Sequence, residues 1–254
     1  MKMRLTIAVL ASAFFAMEAQ AAPVPVDLSS WTVDGNGSWT LAADNNSAFQ
    51  SLNSAPTVLH NGENSQGTAL AGTITVEERS GDDDFIGFVL GYTQGDIDGN
   101  ADTDYILVDW KQGTQSGWDA GLSVSRVTGA IQTCGTCTAS NAWQHNGNVE
   151  LLARAANLGY TGWTDYTTYD FKIDFTSTYI RVYVDGVLEI DIAGSFADGA
   201  FGFYNFSQPR VRYAGITEEV LPNTSEVPLP AAFPLLISGL GALGFFTRKK
   251  RKAA

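Results

Sequence analysis

DDDFIGFVLGYTQGDIDGNADTDYILVDWKQ, residues 82–112, holds two apolar runs joined by an acidic connection. Phe85 to Tyr92 is apolar throughout, interrupted only by Gly87 and Gly91, and Tyr105 to Trp110 is a second run rich in Ile, Leu and Val. Short continuous runs of this kind, bounded by turn residues, predict strands of a buried sheet. The carboxylates stand outside the runs. Asp82, Asp83 and Asp84 crowd the entrance to the first, and Asp96, Asp98, Asn100, Asp102 and Asp104 alternate through the connection to the second. Like charges at this density repel one another, and a hard cation such as Ca2+, which takes about 6 to 8 oxygen ligands, would offset the repulsion. The eight residues are therefore candidate metal ligands, and calcium tying the first group to the second is the expectation. The connection is not an EF-hand. Asp96, Asp98 and Asn100 fit its first side-chain positions, but Ala101 replaces the turn glycine and Leu107 the bidentate glutamate. A solvated acidic turn is the alternative reading.

Working outward, the composition favours an all-β domain: 26 glycines and abundant Asn, Asp, Ser and Thr punctuate short apolar stretches, and one core suffices for a domain of this size. Residues 31–41, WTVDGNGSWTL, read as an opening hairpin across Asp34-Gly35-Asn36-Gly37. Residues 42–66 read as loops connecting a strand or two, with His60 lacking partners for a ligand role, and residues 68–78 as a strand leading to the aspartates. Residues 121–128 form a further strand. Residues 149–158 have helical character and are closed by Gly159. Strands then follow at 169–175, 179–184, 187–192, 200–206 and 211–216, with Asp185-Gly186 a type I′ hairpin signal. That hairpin places Ile180, Val182 and Val184 on one face, and Leu188, Ile190 and Ile192 on one face of its partner.

Several motifs in one order carry a family resemblance. Residues 82–112 are continued by Thr114-Gln115-Ser116-Gly117-Trp118 and Gly121-Leu122-Ser123-Val124. Further on come Gly162-Trp163-Thr164-Asp165-Tyr166 with Tyr169, Ile180-Arg181-Val182, and Gly202-Phe203-Tyr204-Asn205-Phe206-Ser207-Gln208. Together they resemble the C-terminal domain of thrombospondins over residues 31–216. The resemblance implies a lectin-like jelly-roll β-sandwich that binds calcium and serves extracellular adhesion. Residues 95–102 look like an insertion relative to animal members, so only Asp82, Asp83 and Asp84 carry over as ligands.

The ends of the chain give an address. Residues 1–21 combine Lys2 and Arg4, an apolar stretch and Ala19-Gln20-Ala21, the pattern of a signal peptide. Residues 22–219 are then the sandwich and 220–230 a proline-punctuated linker. Residues 231–247 are a nearly uninterrupted apolar span expected to form a single transmembrane helix, and 248–254 a basic cytoplasmic tail. Val227-Pro228-Leu229-Pro230-Ala231, followed by the span and the basic end, resembles the bacterial exosortase sorting signal, which implies an exosortase-type processing enzyme as partner. Membrane attachment before processing, and then a cell-surface or extracellular location, are expected.

Charge and motifs exclude other classes. Removing seven of the 15 basic and one of the 27 acidic residues with the two ends leaves 8 against 26, or −18. Nucleic acid would be repelled. Cys134-Gly135-Thr136-Cys137 lacks a second ligand pair for zinc, and in an exported chain a local disulfide is expected. Glu189-Ile190-Asp191-Ile192 resembles the start of the catalytic strand of jelly-roll β-glucanases, but Ala193 and Gly194 stand where the acid/base is needed. Retaining glycosidases require two carboxyl groups about 5 to 5.5 Å apart, so Glu189 and Asp191 read as the solvent side of a strand. The expected function is that of a calcium-binding, non-catalytic adhesion or matrix-association protein, the partner being a matrix protein or a polysaccharide. A calcium-dependent lectin is the alternative, with Trp118, Trp143, Trp163, Tyr160 and Tyr166 available either to stack on sugar rings or to fill the core.

Overall fold

A computed structural model of the chain describes residues 22–77, 81–115, 118–132 and 141–222. The signal peptide expected at 1–21, the Cys134-Cys137 pair, the sorting signal expected at 227–231 and the transmembrane helix expected at 231–247 lie outside the described residues. Among the described residues no helix is long and apolar enough to cross a membrane.

Among the described residues the strands follow in chain order: β1 Val24–Pro25, β2 Thr32–Gly35, β3 Trp39–Leu41, β4 Ser47–Gln50, β5 Thr57–His60, β6 Thr68–Val76, β7 Phe85–Tyr92, β8 Tyr105–Lys111, β9 Gly121–Val127, β10 Val149–Arg154, β11 Thr168–Phe175, β12 Tyr179–Val184, β13 Val187–Ala193, β14 Ala200–Phe206 and β15 Val211–Val220. One sheet has the order β13-β12-β11-β6-β15-β4-β3, with β1 beside β15; the other is β10-β9-β8-β7-β14-β5-β2. All pairings are antiparallel. The all-β sandwich expected from the sequence is the fold.

The inner faces meet in one core. Leu70, Ile74, Phe171, Ile173, Ile180 and Val182 come from the first sheet, and Ile86, Phe88, Val108, Trp110, Val124 and Phe203 from the second. Phe203 stacks on Tyr213 at 4.3 Å between ring centroids, and the Tyr213 hydroxyl donates to the backbone oxygen of Tyr204 at 2.9 Å, joining the two sheets at the centre. The outer face of the second sheet is buried too. Phe85, Val89, Tyr105, Leu107, Val127 and Tyr204 form a second cluster with Ile97, Ile131 and Ala142 from the connections that cross that face. This is why 85–92 is apolar at every position: a strand covered on both sides loses the period of two.

Three local expectations are corrected. The 31–41 segment is not a hairpin, since β2 pairs with β5 and β3 pairs with β4. Its Gly-rich turn carries the chain from one sheet to the other. Residues 149–158 open with β10, paired to β9 at the sheet edge. Leu151 and Leu152 there are exposed side by side because the strand bulges between Leu151 and Ala153, which imitates a helical period. The Asp185-Gly186 turn holds, with φ of 50° and 75° as type I′ requires. Beyond it, however, a register shift opposite Val182 and Tyr183 leaves Leu188 exposed and turns Glu189 inward.

Candidate functional site

The two acidic groups lie at opposite ends of one strand pair. Phe85 faces Lys111 and Leu90 faces Ile106 across β7 and β8, so Asp82, Asp83 and Asp84 precede one end and the Asp96-to-Asp104 connection closes the other. Seven strand steps separate them by roughly 23 Å. A single cation joining the groups is therefore corrected: no ion bridges that span, and each group must be judged alone.

At the first end, burial deepens from Asp82 and Asp83, half-buried, to Asp84, 7% exposed. The Asp83 backbone oxygen accepts from Gln112 N at 3.1 Å and Gly113 N at 3.2 Å, which folds the turn against the end of β8. Gly113 leaves room for the Asp83 carboxylate, since a Cβ there would sit 1.9 Å from Oδ2. Gln115 Nε2 donates to Asp84 Oδ1 at 2.8 Å and also to Asp83 Oδ1, drawing both carboxylates together. Gln208 Oε1 accepts from Asp84 N at 3.1 Å, and Asn53 donates to Asp82. Trp163, fully buried, donates through Nε1 to the Asp84 backbone oxygen at 3.3 Å and to that of Trp110 at 3.2 Å. The turn is thus anchored from several elements at once.

Burial pushes the Asp84 carboxyl up to about 6, the Asp82 and Asp83 charges adding to the rise while hydrogen bonds from Ser207 and Gln115 oppose it. The unfolded carboxyl ionises near its ordinary value, so between there and about pH 6 the folded state binds the extra proton. In chelator, stability is expected to fall as pH rises through that window, and Asp84→Asn is expected to flatten the profile. Denaturant midpoints measured from pH 4 to 7 check this; a midpoint that rises across the window contradicts it.

The second group is engaged within its own loop. Asp96 is buried, accepting from Thr93 N at 2.8 Å and from Asn100 Nδ2 at 2.9 Å. Asn100 Oδ1 accepts from Asp102 N at 2.9 Å, and Asp104 pairs with Arg126, whose Nε donates at 2.6 Å. Asp98 and Asp102 are exposed. Gly95 and Gly99 at φ of 92° and 75° shape the turn, and a Cβ on Gly99 would sit 2.2 Å from Ala130 N. The loop is welded to its surroundings rather than arranged around a point. Among the described residues, no three His, Cys, Asp or Glu side chains are grouped so as to hold a metal by themselves.

The structure also gathers polar residues that the sequence does not mark. Asp109, Ser123 and His145 meet on the covered face of the second sheet: Ser123 Oγ donates to Asp109 Oδ1 at 3.0 Å, and His145 Nε2 lies 3.4 Å from that hydroxyl and 3.8 Å from Asp109 Oδ1. This is not a nucleophile triad. Carboxylate and hydroxyl face the same ring nitrogen instead of opposite ones, and all three side chains are buried. Lys111 is buried nearby, its Nζ 5.4 Å from the Phe85 ring centre and 5.2 Å from that of Trp143. Asp109, a charged residue inside the apolar run 105–110, is the only hint the sequence offers.

Glu189, expected on the solvent side, is 5% exposed. Its Oε2 accepts from Asn157 N at 2.8 Å and Leu158 N at 3.1 Å, and Asp191 pairs with Arg181 at 3.2 Å. The aromatics divide. Trp163 is core, Trp143 packs edge-on against Phe85 at 4.4 Å, Trp118 is half-buried, and Tyr160 and Tyr166 are 72% and 59% exposed.

Among solved structures, the chain is similar to carbohydrate binding module CBM66 from Bacillus subtilis, with 15% identity and a TM-score of 0.50 over 75% of this chain and 95% of that one. A Bacillus subtilis protein of unknown function with a galectin-like fold gives 11% identity and a TM-score of 0.52, covering 80% and 98%. The exoplasmic/lumenal domain of VIP36 in its Ca2+-bound form gives 10% and 0.50, covering 76% and 84%. At these identities the likeness is one of fold, a galectin-like jelly roll. A search of curated proteins finds no match. Residues 34–220, the sandwich from its second strand to its last, match the family model of the thrombospondin C-terminal region, and the chain belongs to that family.

Proposed function

We propose that the chain is an exported, surface-sorted protein whose sandwich binds calcium at the 82–84 turn and serves adhesion or matrix association without catalysis. The observation that supports this most is the convergence of the Asp83 and Asp84 carboxylates on Gln115, with Asp82 and Asn53 beside them. Asp83 and Asp84 would hold the ion, and Gln115, whose Nε2 donates to both carboxylates in the ion-free arrangement, would join them through its amide oxygen once the amide turns over. Because the carboxylates alone do not suffice, the ion would rely on neutral oxygens as well, as Ca2+ commonly does. Its charge would favour ionised Asp84 and fasten the turn to β8. Export rests on the 1–21 leader. Surface sorting rests on the 227–231 motif with its apolar span and basic end.

Calorimetric titration of the purified protein with Ca2+, with melting curves in calcium and in chelator, tests the reading. Saturable binding with a higher Tm is expected, because a ligand of the native state stabilises it by mass action. Asp83→Ala is expected to weaken calcium binding about tenfold or more while leaving the chelator melting curve nearly unchanged. Equal affinity in the variant would remove the turn from the site.

A calcium-dependent lectin is the second reading. What favours it is the loop that exposes Tyr160 and Tyr166: Trp163 of that loop bonds the Asp84 backbone, and Gly162 packs on the backbone of Gln112, so two aromatic rings accompany the acidic turn. Glycan-array binding that disappears on chelation is its expected signature.

A further inference from the structure

A cleft of about 500 Å³ opens between the two sheets at the edge where β10 approaches the end of β13. Arg126 and Glu150, paired across β9 and β10, form one wall with Leu152; Asp191, Ser195 and Phe196 form the other. It lies on neither the acidic turn nor the covered face of the second sheet, so neither the calcium reading nor the Asp109 cluster uses it.

Its chemistry is selective. Glu150 is exposed and offers a carboxylate to a pair of hydroxyls, and Asp191, whose Oδ1 accepts from Arg181, keeps 47% of its side chain exposed and can accept through its other oxygen. Arg126 is anchored from behind by Asp104 and keeps 39% of its side chain exposed, giving guanidinium donors in a fixed place. Ser195 adds a hydroxyl. Leu152 and Phe196 supply apolar surface between these groups. Carboxylate, guanidinium, hydroxyl and an aromatic ring on one concave surface match a molecule with hydroxyls along its edges and C–H groups on its faces.

The Phe196 side is built in advance. Gly194 N donates to Thr178 O at 2.9 Å, Phe196 N to Ser177 O at 3.2 Å, and Gln66 Nε2 to Phe196 O at 2.7 Å. The Phe196 ring folds back over Gly194, where a Cβ would stand 2.7 Å from Cζ. A side chain at 194 would meet the ring alone and push it aside, which changes the wall of the cleft without a backbone clash. A preformed wall lowers the ordering cost of binding. Charge narrows the class further. Arg126 is paired with Asp104 and Arg181 with Asp191, and Glu150 adds a further carboxylate, so the cleft offers an anionic glycan no uncommitted guanidinium and disfavours it.

We propose that this cleft is a calcium-independent binding site for a neutral saccharide, one or two sugar units in length. The test uses the purified protein in chelator, titrated by calorimetry with neutral tetrasaccharides of glucose, xylose, mannose and fructose, and with a tetrasaccharide of uronic acid as control. Saturable binding of at least one neutral probe and none of the uronate is expected. Glu150→Ala, on an exposed strand position, is expected to weaken that binding about tenfold or more, the loss typical of a charge-assisted hydrogen bond. Gly194→Ala should weaken it by displacing the ring, and a Tm close to that of the parent would show that the fold persists. No binding of any neutral probe, or binding untouched by both variants, overturns the proposal. Binding that requires calcium also overturns it and transfers the sugar to the acidic turn, so its failure and that of the calcium reading are distinguishable.

Discussion

Trp163→Ala is expected to lower the unfolding free energy by about 3–5 kcal/mol, the range for truncating a buried aromatic side chain. The indole is 2% exposed and belongs to the inter-sheet core, and Nε1 donates to the backbone oxygens of Asp84 and Trp110. Truncation would remove apolar contacts and leave two carbonyls at the head of the β7 and β8 pair without their donor. Trp163→Phe separates these contributions: it keeps much of the ring and loses the bonds, for an expected cost of about 1–2 kcal/mol. Urea denaturation in chelator measures both. A loss below that of the Phe variant in Trp163→Ala would mean that the loop collapses over the site and that the indole does not anchor the turn. Because Asp84 is held through its own backbone oxygen, the same variants are expected to weaken calcium binding. Trp163 thereby links the core to the proposed ion site.

The sequence was most legible where local chemistry and tertiary environment agree. Continuous apolar runs at 85–92 and 105–110 announced strands covered on both faces, and Asp185-Gly186 announced its turn because few residue pairs tolerate two left-handed positions in succession. Legibility failed where partners are distant. Asp34-Gly35-Asn36-Gly37 has the composition of a hairpin turn, yet Asn36 N donates to Pro56 O, which extends the pairing of β2 with β5 in place of a pairing with β3. Leu151 and Leu152 suggested a helix because a bulge places two neighbours on one side. The Asp109, Ser123 and His145 cluster joins two strands and a connection, and no spacing rule reveals it. The separation of the acidic groups was within reach of the sequence, since two extended runs of this length cannot bring their far ends together.

The same bulge principle gives the second large effect. Glu189→Ala is expected to cost about 2–4 kcal/mol, because it leaves the Asn157 and Leu158 amides without their acceptor beneath the strand edge. Ala156 N also donates to the Glu189 backbone oxygen at 2.7 Å, so the side chain reinforces a junction already formed by the main chain. Glu189→Gln retains one acceptor oxygen and should lose less. Asp191→Asn, two residues on, removes only an exposed pair with Arg181 and should change stability by no more than about 0.5 kcal/mol. Chemical denaturation of the three variants resolves what the Glu-Ile-Asp-Ile motif is for. A glycosidase pair would give two substitutions of small structural cost and a shared loss of hydrolysis, whereas a capping carboxylate beside a surface ion pair gives a large cost at 189 and almost none at 191. The alternation of the motif is that of a strand in which one register shift turns the first carboxylate toward the protein and leaves the second in water.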